Sequence, residues 1–185
     1  IYRFIKGVMF REIIKTYKTH YPALRFIGKR YTDDDRVNGS FGAQWCEWHQ
    51  NGWFSELENA TQMSTEIDNG YLGLMTINSQ DHSNFAYWIG ILFPEGTDVP
   101  EGFSYLDFPE NDVGINWIYG SDKNGEIYGN KPHSASYSKL CENGWGELNV
   151  DAGGEKTLVF FELYNCPRFT TPDDKGNVIL DYGFY

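Results

Sequence analysis

The sequence predicts an α+β fold in which one β-α-β-β unit occurs twice in tandem, related by a pseudo-twofold axis. Residues 48–53 (WHQNGW) are matched by residues 140–145 (LCENGW), a domain-scale offset of roughly ninety residues. Each Asn-Gly-Trp closes a segment with helix-like composition. Each is also followed by two runs of β-branched and aromatic residues, which are typical of a strand pair. Because ligand sites often lie where two units meet, we expect a ligand groove between the halves.

The first half is predicted to contain a strand, a helix and two more strands, at residues 24–31, 39–58, 71–78 and 85–93. In the helical stretch, aromatic residues recur every three or four positions, so they share a face that we expect to pack on a sheet. Asn51-Gly52 interrupts this pattern. Residues 1–20 alternate apolar and basic side chains and are predicted to be a linker and the start of a first strand. The first unit is therefore assigned to residues 21–93.

The second half repeats this order after Pro- and Gly-containing breaks. Its strands and its helix are predicted at residues 105–108, 113–119, 134–142 (the helix), 157–164 and 178–185. We assign the second unit to residues 103–185 and the whole domain to residues 21–185. A chain of 185 residues is long enough to bury a core without metal or disulfide staples.

The composition disfavours several classes of protein. The 15 basic and 26 acidic residues give a formal charge of −11, and Glu12 is the only acid before residue 21. Such an acidic body repels phosphate and favours cationic ligands, although the same charge also suits solubility alone. The three cysteines are widely spaced, as free thiols of a reducing compartment are, and no apolar run is long enough to span a bilayer. We expect a soluble, cytoplasmic protein without a membrane segment.

Motifs for metal binding, nucleophilic catalysis and nucleotide binding are absent from the sequence. The four histidines are scattered, without a partner at metal-ligand spacing. No nucleophile elbow is present, and no Gly-rich phosphate loop leads into a helix. The sequence therefore predicts no metal, no cofactor and no catalytic residue of these kinds.

Glu162 is the strongest candidate for a ligand-binding residue. It lies in the middle of an otherwise apolar predicted strand, where alternation places it on one face with Phe160 and Tyr164. We expect the opposite, wholly apolar face to pack against the helix. A carboxylate among aromatic rings suits a cationic, planar or amphipathic ligand. The alternative is a structural glutamate that pairs with Lys or Arg, or is solvated at a sheet edge.

Aromatic residues of other predicted strands are candidates for the walls of the groove. The chain contains 13 Phe, 13 Tyr and 6 Trp, more than a core of this size needs. Trp88, Trp117 and Tyr119 lie, like Tyr164, in predicted strands. We predict that these four residues contact the ligand together with Glu162, with a place in the core as the alternative for each.

Several short motifs, taken in order, resemble one family. Residues 22–28 (PALRFIG), 99–102 (VPEG) and 161–164 (FELY), together with the doubled unit and a final apolar strand, resemble the gyrase-inhibitor-like effector-binding domain. That domain is the sensing part of many AraC-type and MerR-type bacterial transcription regulators, and it also occurs alone. In the family, the groove between the two units binds drugs and other amphipathic, often cationic, molecules. The resemblance places the family's pocket glutamate at Glu162 and its strand aromatics at Trp88, Trp117, Tyr119 and Tyr164.

The resemblance implies a non-enzymatic, multidrug-type sensor that binds a small molecule. It would contact DNA only through an upstream helix-turn-helix domain that these residues do not contain, and the basic start of the chain resembles the connecting tail. Two alternatives stay open. Some domains that resemble this one hydrolyse electrophilic small molecules with a pocket glutamate and tyrosine assistance, and a tyrosine convergent on Glu162 would favour that role. The acidic body could instead dock a basic protein. The sequence does not decide between a monomer and a homodimer.

Overall fold

The computed structural model describes residues 12–78, 83–145, 150–152, 155–164 and 166–185. Within these ranges the strands are β1 (Glu12–Tyr21), β2 (Leu24–Tyr31), β3 (Tyr71–Asn78), β4 (Ala86–Pro94), β5 (Ser104–Phe108), β6 (Asn111–Gly120), β7 (Val150–Ala152), β8 (Glu155–Tyr164) and β9 (Val178–Phe184). The helices are α1 (Gly42–Asn51), α2 (Trp53–Ala60), α3 (Asn130–Glu142) and α4 (Pro167–Thr170). This mixture of strands and helices confirms the predicted α+β class. Residues 1–11 of the predicted linker lie outside the described residues.

The nine strands form one antiparallel sheet with the order β1-β6-β9-β8-β3-β4-β2-β5, in which β7 pairs with β8. The two central strands come from different halves of the chain. Strands β3 and β8 pair along eight positions, from Tyr71 opposite Tyr164 to Asn78 opposite Thr157. The strand that carries Glu162 is therefore at the centre of the sheet, so the alternative of a solvated edge position does not apply.

The first strand covers much of the stretch that the sequence assigns to a linker and the start of a first strand. Strand β1 begins at Glu12 and pairs with β6 as far as Tyr21, with one irregularity between Ile13 and Lys15. At the edge of the sheet, one side of a strand packs on the core and the other side meets water, which accounts for the alternation of apolar and basic residues. Residues 12–20 therefore belong to the sheet.

Each Asn-Gly-Trp ends a helix, as predicted. Helix α1 ends at Asn51, and Gly52 adopts φ 69° and ψ 23°, so that α2 starts in a new direction at Trp53. A residue with a Cβ atom rarely adopts this left-handed conformation, which explains the glycine. Helix α3 ends at Glu142 and is followed by Gly144, which also has a positive φ, of 74°.

Helices α1, α2 and α3 pack on the face of the sheet that carries Glu162, contrary to our expectation. Trp48 of α1 and Leu57 of α2 are fully buried in one cluster with Ile89 of β4, and the ring of Trp45 contacts that of Tyr164. On the side of α3, the amide of Asn116 donates a hydrogen bond to the carbonyl of Ser136 at 3.1 Å.

The wholly apolar face of β8 packs against other strands instead of a helix. Its central residue, Phe161, lies under the ring of Tyr21 from the edge strand β1, with 6.3 Å between ring centroids. Phe108 of the opposite edge strand β5 stacks on Tyr185 at 4.8 Å. A large antiparallel sheet twists and coils, so its distant strands can enclose an apolar core without helices. This property of the whole sheet is not visible in any one strand.

Candidate functional site

A cavity of about 870 Å³ lies over the centre of the sheet, between the starts of α1 and α3. Strands β3, β4 and β8 form its floor, and the segments that lead into the two helices form its walls. Its volume is within the range of small-molecule sites, roughly 300–1,000 Å³. The lining side chains are mainly aromatic and include Phe41, Trp45, Phe85, Tyr87, Tyr128, His133, Phe160, Glu162 and Tyr164.

Glu162 lies on the floor of this cavity and is only 6% exposed. Tyr164 donates a hydrogen bond to its Oε2 atom at 2.6 Å, and Tyr182 donates one to Oε1 at 2.5 Å. The Nε2 atom of His133 lies 3.3 Å from Oε1. Among the ion pairs between described residues, Glu162 takes part only in this one with His133, so the structure offers no Lys or Arg as its partner.

Gly73, directly opposite Glu162 on β3, makes room for a third tyrosine. A Cβ atom at Gly73 would lie 2.3 Å from the hydroxyl oxygen of Tyr87 and 3.4 Å from Oε2 of Glu162. The Tyr87 hydroxyl also accepts a hydrogen bond from the indole N–H of Trp45 at 2.9 Å. The missing side chain thus allows a tyrosine of β4 to approach the carboxylate across β3.

Burial keeps the tyrosines around Glu162 protonated. Desolvation raises the pKa values of Tyr87, Tyr164 and Tyr182 well above 10, and the negative charge of Glu162 raises them further. The same two causes, in the same order, raise the pKa of Tyr128. The Tyr164 and Tyr182 hydroxyls therefore remain hydrogen-bond donors at neutral pH, and both donate to Glu162.

Aromatic rings form the upper wall of the cavity. Phe41 stacks on Tyr87 with ring centroids 4.2 Å apart and nearly parallel planes. The guanidinium of Arg36 lies over Phe41 at 4.5 Å and over Phe85 at 5.3 Å, and its Nε atom donates to Asp33 at 2.7 Å. The protein therefore already places one organic cation against these rings. Aromatic faces with a carboxylate below them suit a second, delocalised cation.

The structure brings two of the five sequence-predicted site residues into the cavity and places three elsewhere. Glu162 and Tyr164 line it together. Trp88 is buried on the other face of β4, edge-on to Phe26. Trp117 is on that same opposite face and packs against Tyr17.

Tyr119 lies two residues beyond Trp117 on β6 and bonds instead to the loop before β9. Its hydroxyl donates to Asp173 at 2.6 Å and accepts from Asn177 at 2.8 Å. Its strand is also separated from β8 by β9. As ligand contacts, Trp88, Trp117 and Tyr119 stay predictions that the cavity does not support.

Several residues of the cavity escaped the sequence analysis. Tyr87 is next to Trp88 on β4, so the sequence predicts its strand, but the residue selected as a ligand contact lies on the opposite face. Trp45 lies in the predicted helical stretch of residues 39–58, whose aromatic periodicity is the available signal for it. The sequence carries no comparable signal for Tyr128 and His133 of the cavity wall, or for Tyr182, which binds Glu162 from β9 without lining the cavity.

Metal-ligand clusters and membrane-spanning helices are both absent from the described part of the chain. No three His, Cys, Asp or Glu side chains come together there as a set of metal ligands. None of the helices described above is long and apolar enough to cross a membrane.

The fold has counterparts among solved structures. SAV2435, a gyrase-inhibitor-like protein solved with bound tetraphenylphosphonium, is similar with a TM-score of 0.59 and 15% identity, over 92% of this chain and 93% of that chain. A candidate bacterial transcription regulation protein from Staphylococcus aureus MU50 is similar with a TM-score of 0.57 and 14% identity, over 92% and 96% of the two chains. The chain therefore has the fold of a gyrase-inhibitor-like domain, as its motifs indicate.

Other comparisons add little to this. A hydrolase encoded by lin2189 of Listeria innocua has a TM-score of 0.46 and 7% identity, over 92% of this chain and 90% of that chain, a likeness too weak to bear on function. No protein-family model matches the sequence, and no curated protein is significantly similar to it.

Proposed function

We propose that this chain is an effector-binding domain whose cavity binds an amphipathic, aromatic organic cation, with Glu162 as the counter-charge. One observation carries the proposal. A nearly buried carboxylate lies on the floor of a cavity of about 870 Å³, and its hydrogen-bonding neighbours are two tyrosines and a histidine. A carboxylate enclosed without a fixed cation is costly, and a bound cation offsets that cost.

The walls of the cavity support the same class of ligand. Trp45, Phe41 and Tyr87 present rings around the space above Glu162, and ring faces attract delocalised cations. The acidic body of the chain, with a formal charge of −11, favours the approach of a cation over that of an anion. SAV2435, which shares the fold, was solved with tetraphenylphosphonium, a large aromatic cation.

We also infer that the two halves are related by a pseudo-twofold axis that passes near the cavity. Toward the centre of the sheet, the strands of the second half follow the order β6, β9, β8, and those of the first half follow the corresponding order β2, β4, β3. Strands β1 and β5 extend the sheet at opposite edges, each beside a strand of the other half. The cavity then lies where the two units meet, which is where the predicted groove belongs.

We propose further that cavity occupancy controls a DNA-binding partner. This step rests on the fold shared with a candidate transcription regulation protein and on the sequence resemblance. The control requires a ligand that binds one conformation of the domain better than another. The DNA contact would be made through a helix-turn-helix domain, and a homodimer of the chain stays a prediction.

One observation favours hydrolysis as a second candidate function. The hydroxyls of Tyr164 and Tyr182 converge on Glu162, the arrangement in which a glutamate takes a proton from water with tyrosine assistance. Both hydroxyls, however, donate their protons to the carboxylate itself. They therefore orient Glu162 and do not face a substrate, which suits binding better than turnover.

The test compares two ions of the same shape and opposite charge. Tetraphenylphosphonium and tetraphenylborate are titrated by calorimetry into the wild type, Glu162→Gln and a control, Glu56→Gln. Glu56 is an exposed residue of α2, so its variant removes the same charge outside the cavity. We expect the phosphonium alone to bind the wild type and Glu56→Gln, and to bind Glu162→Gln at least roughly thirtyfold more weakly.

Two results would contradict the proposal. Equal affinity for the two ions would mean that shape, and not charge, decides binding. Equal phosphonium affinity in the wild type and Glu162→Gln would make Glu162 a structural carboxylate. Hydrolysis of an activated ester by the wild type, lost in Glu162→Gln, would support the enzyme instead.

A further inference from the structure

His133 lies beside Glu162 and is the only histidine among the side chains that line the described cavity. It occupies the first turn of α3, and its Nε2 atom lies 3.3 Å from Oε1 of Glu162. The imidazole is wedged edge-on between the rings of Phe160 and Tyr182, at 5.4 and 4.7 Å. Its side chain is 25% exposed, and it borders the space where a ligand would contact the carboxylate.

We propose that His133 determines which charge of ligand the cavity accepts. In its neutral form it leaves the charge of Glu162 to a ligand cation. In its protonated form it is itself the counter-ion of Glu162, and the cavity then favours an uncharged aromatic ligand. This inference rests on the proposed binding function and names the residue that sets its specificity.

The physical basis is competition for one carboxylate. Protonated histidine at 3.3 Å forms a charge-assisted hydrogen bond with Glu162. A ligand cation that contacts the same carboxylate would then lie close to a like charge between aromatic walls, where repulsion is screened less than in bulk water. Cation binding should therefore expel the proton of His133. Histidine is the side chain that normally changes charge between about pH 5 and about pH 8.

The neighbouring tyrosines do not change charge over this range. Burial raises the pKa values of Tyr87 and Tyr128, which line the same cavity, and of Tyr182, whose ring contacts the imidazole, so all three stay neutral. Arg36 and Asp33 form an ion pair at the opposite wall. The ionisable groups that surround the cavity with His133 are Glu162 and Tyr164 from β8, Tyr182 from β9, Tyr87 from β4, Tyr128 before α3, and Asp33 and Arg36 after β2.

The experiment measures tetraphenylphosphonium affinity by calorimetry from about pH 5 to about pH 8 for the wild type, His133→Gln and His20→Gln. Glutamine keeps a hydrogen-bond donor near Glu162 but carries no charge. His20 is the matched control, because it also lies 3.3 Å from carboxylates, those of Glu110 and Asp112, but outside the cavity.

We expect wild type and His20→Gln to bind the cation roughly tenfold more weakly at the acidic end, and His133→Gln to change by less than about twofold. The wild type also provides a test without substitution. Its binding enthalpy, measured in buffers of different ionisation enthalpy, should show proton release on cation binding in the range where affinity falls.

Each contrary result has a distinct meaning. The same acidic loss of affinity in His133→Gln would assign the effect to protonation of Glu162 and overturn the inference, while the proposed function would stand. Cation binding by the wild type without proton release would do the same. A failure of the cation to bind any of the folded proteins at any pH would overturn both the proposed function and this inference.

Discussion

Two buried carboxylates on neighbouring strands differ in the charge of the side chains that donate hydrogen bonds to them. Glu162 of β8 is 6% exposed and Asp181 of β9 is 2% exposed. They are on opposite faces of the sheet, because Asp181 pairs with Leu163, the next residue after Glu162. Asp181 receives two hydrogen bonds from Arg168, at 2.6 and 2.5 Å, whereas Glu162 receives its two from tyrosine hydroxyls.

The difference separates a structural carboxylate from a binding carboxylate. The guanidinium of Arg168 neutralises Asp181 within the fold and also binds Asp68 at 2.6 Å. The tyrosines hold Glu162 in position without cancelling its charge, and a cavity lies above it. Burial alone therefore does not indicate function, and the nature of the partner is the more informative property.

The largest expected loss of stability is on the face of the sheet opposite the cavity. Arg168→Met leaves Asp181 buried without its cation and should lower the free energy of unfolding by about 3–5 kcal/mol. Glu162→Gln should change it by less than about 1 kcal/mol, since the loss of one tyrosine hydrogen bond is offset by removal of an enclosed charge. Urea unfolding measures both values. Asp68→Asn is the control, because this residue is an exposed partner of the same guanidinium, and it should cost less than about 1 kcal/mol. Equal losses in Arg168→Met and Glu162→Gln would remove the distinction between the two carboxylates.

Adjacent phenylalanines of β8 extend the comparison to the two faces. Phe161 is 1% exposed in the apolar core on the face opposite the cavity, so Phe161→Ala should lower the free energy of unfolding in urea by about 3 kcal/mol. It should leave the phosphonium affinity of the folded protein unchanged. Phe160 is only partly buried and lines the cavity. Phe160→Ala should therefore cost less, about 1–2 kcal/mol, and weaken phosphonium binding roughly fivefold. Reduced affinity in folded Phe161→Ala with none in Phe160→Ala would reverse our assignment of the faces.

The smallest effect per residue is a loss of stability in alkali. Burial raises the pKa values of Tyr182, on the face that carries the cavity, and of Tyr185, in the core on the opposite face. Their contribution to stability is complete below the unfolded-state pKa of about 10. Above it, the unfolded chain loses these protons while the native protein keeps them, so stability falls by up to about 1.4 kcal/mol per pH unit for each tyrosine.

This alkaline slope is measured by urea unfolding from about pH 9 to about pH 11. Tyr182→Phe and Tyr185→Phe should each remove one tyrosine's share of the slope, on opposite faces of the sheet. A slope that is identical in the wild type and both variants would contradict the raised pKa values.

Much of the local structure follows from nearby residues. The Asn-Gly-Trp motifs end α1 and α3 because only glycine readily adopts the backbone conformation that follows a helix end. The strands that contain Glu162 and Trp88 were predicted within one or two residues, since runs of β-branched and aromatic residues between turns are a local signal. The grouping of Phe160, Glu162 and Tyr164 on one face follows from alternation within a single strand.

The sequence by itself therefore determined the order of the longer elements, the ends of α1 and α3 and the face of β8 that carries the carboxylate, but not β7 or α4. The tertiary structure decided which neighbours meet Glu162. Alternation shows that Tyr87 and Trp88 point to opposite faces, but only the register with β3 decides which of them shares the face of Glu162. Only the docking of α3 brings His133 to that carboxylate. Register and docking depend on contacts between residues far apart in the chain, and no local pattern records them.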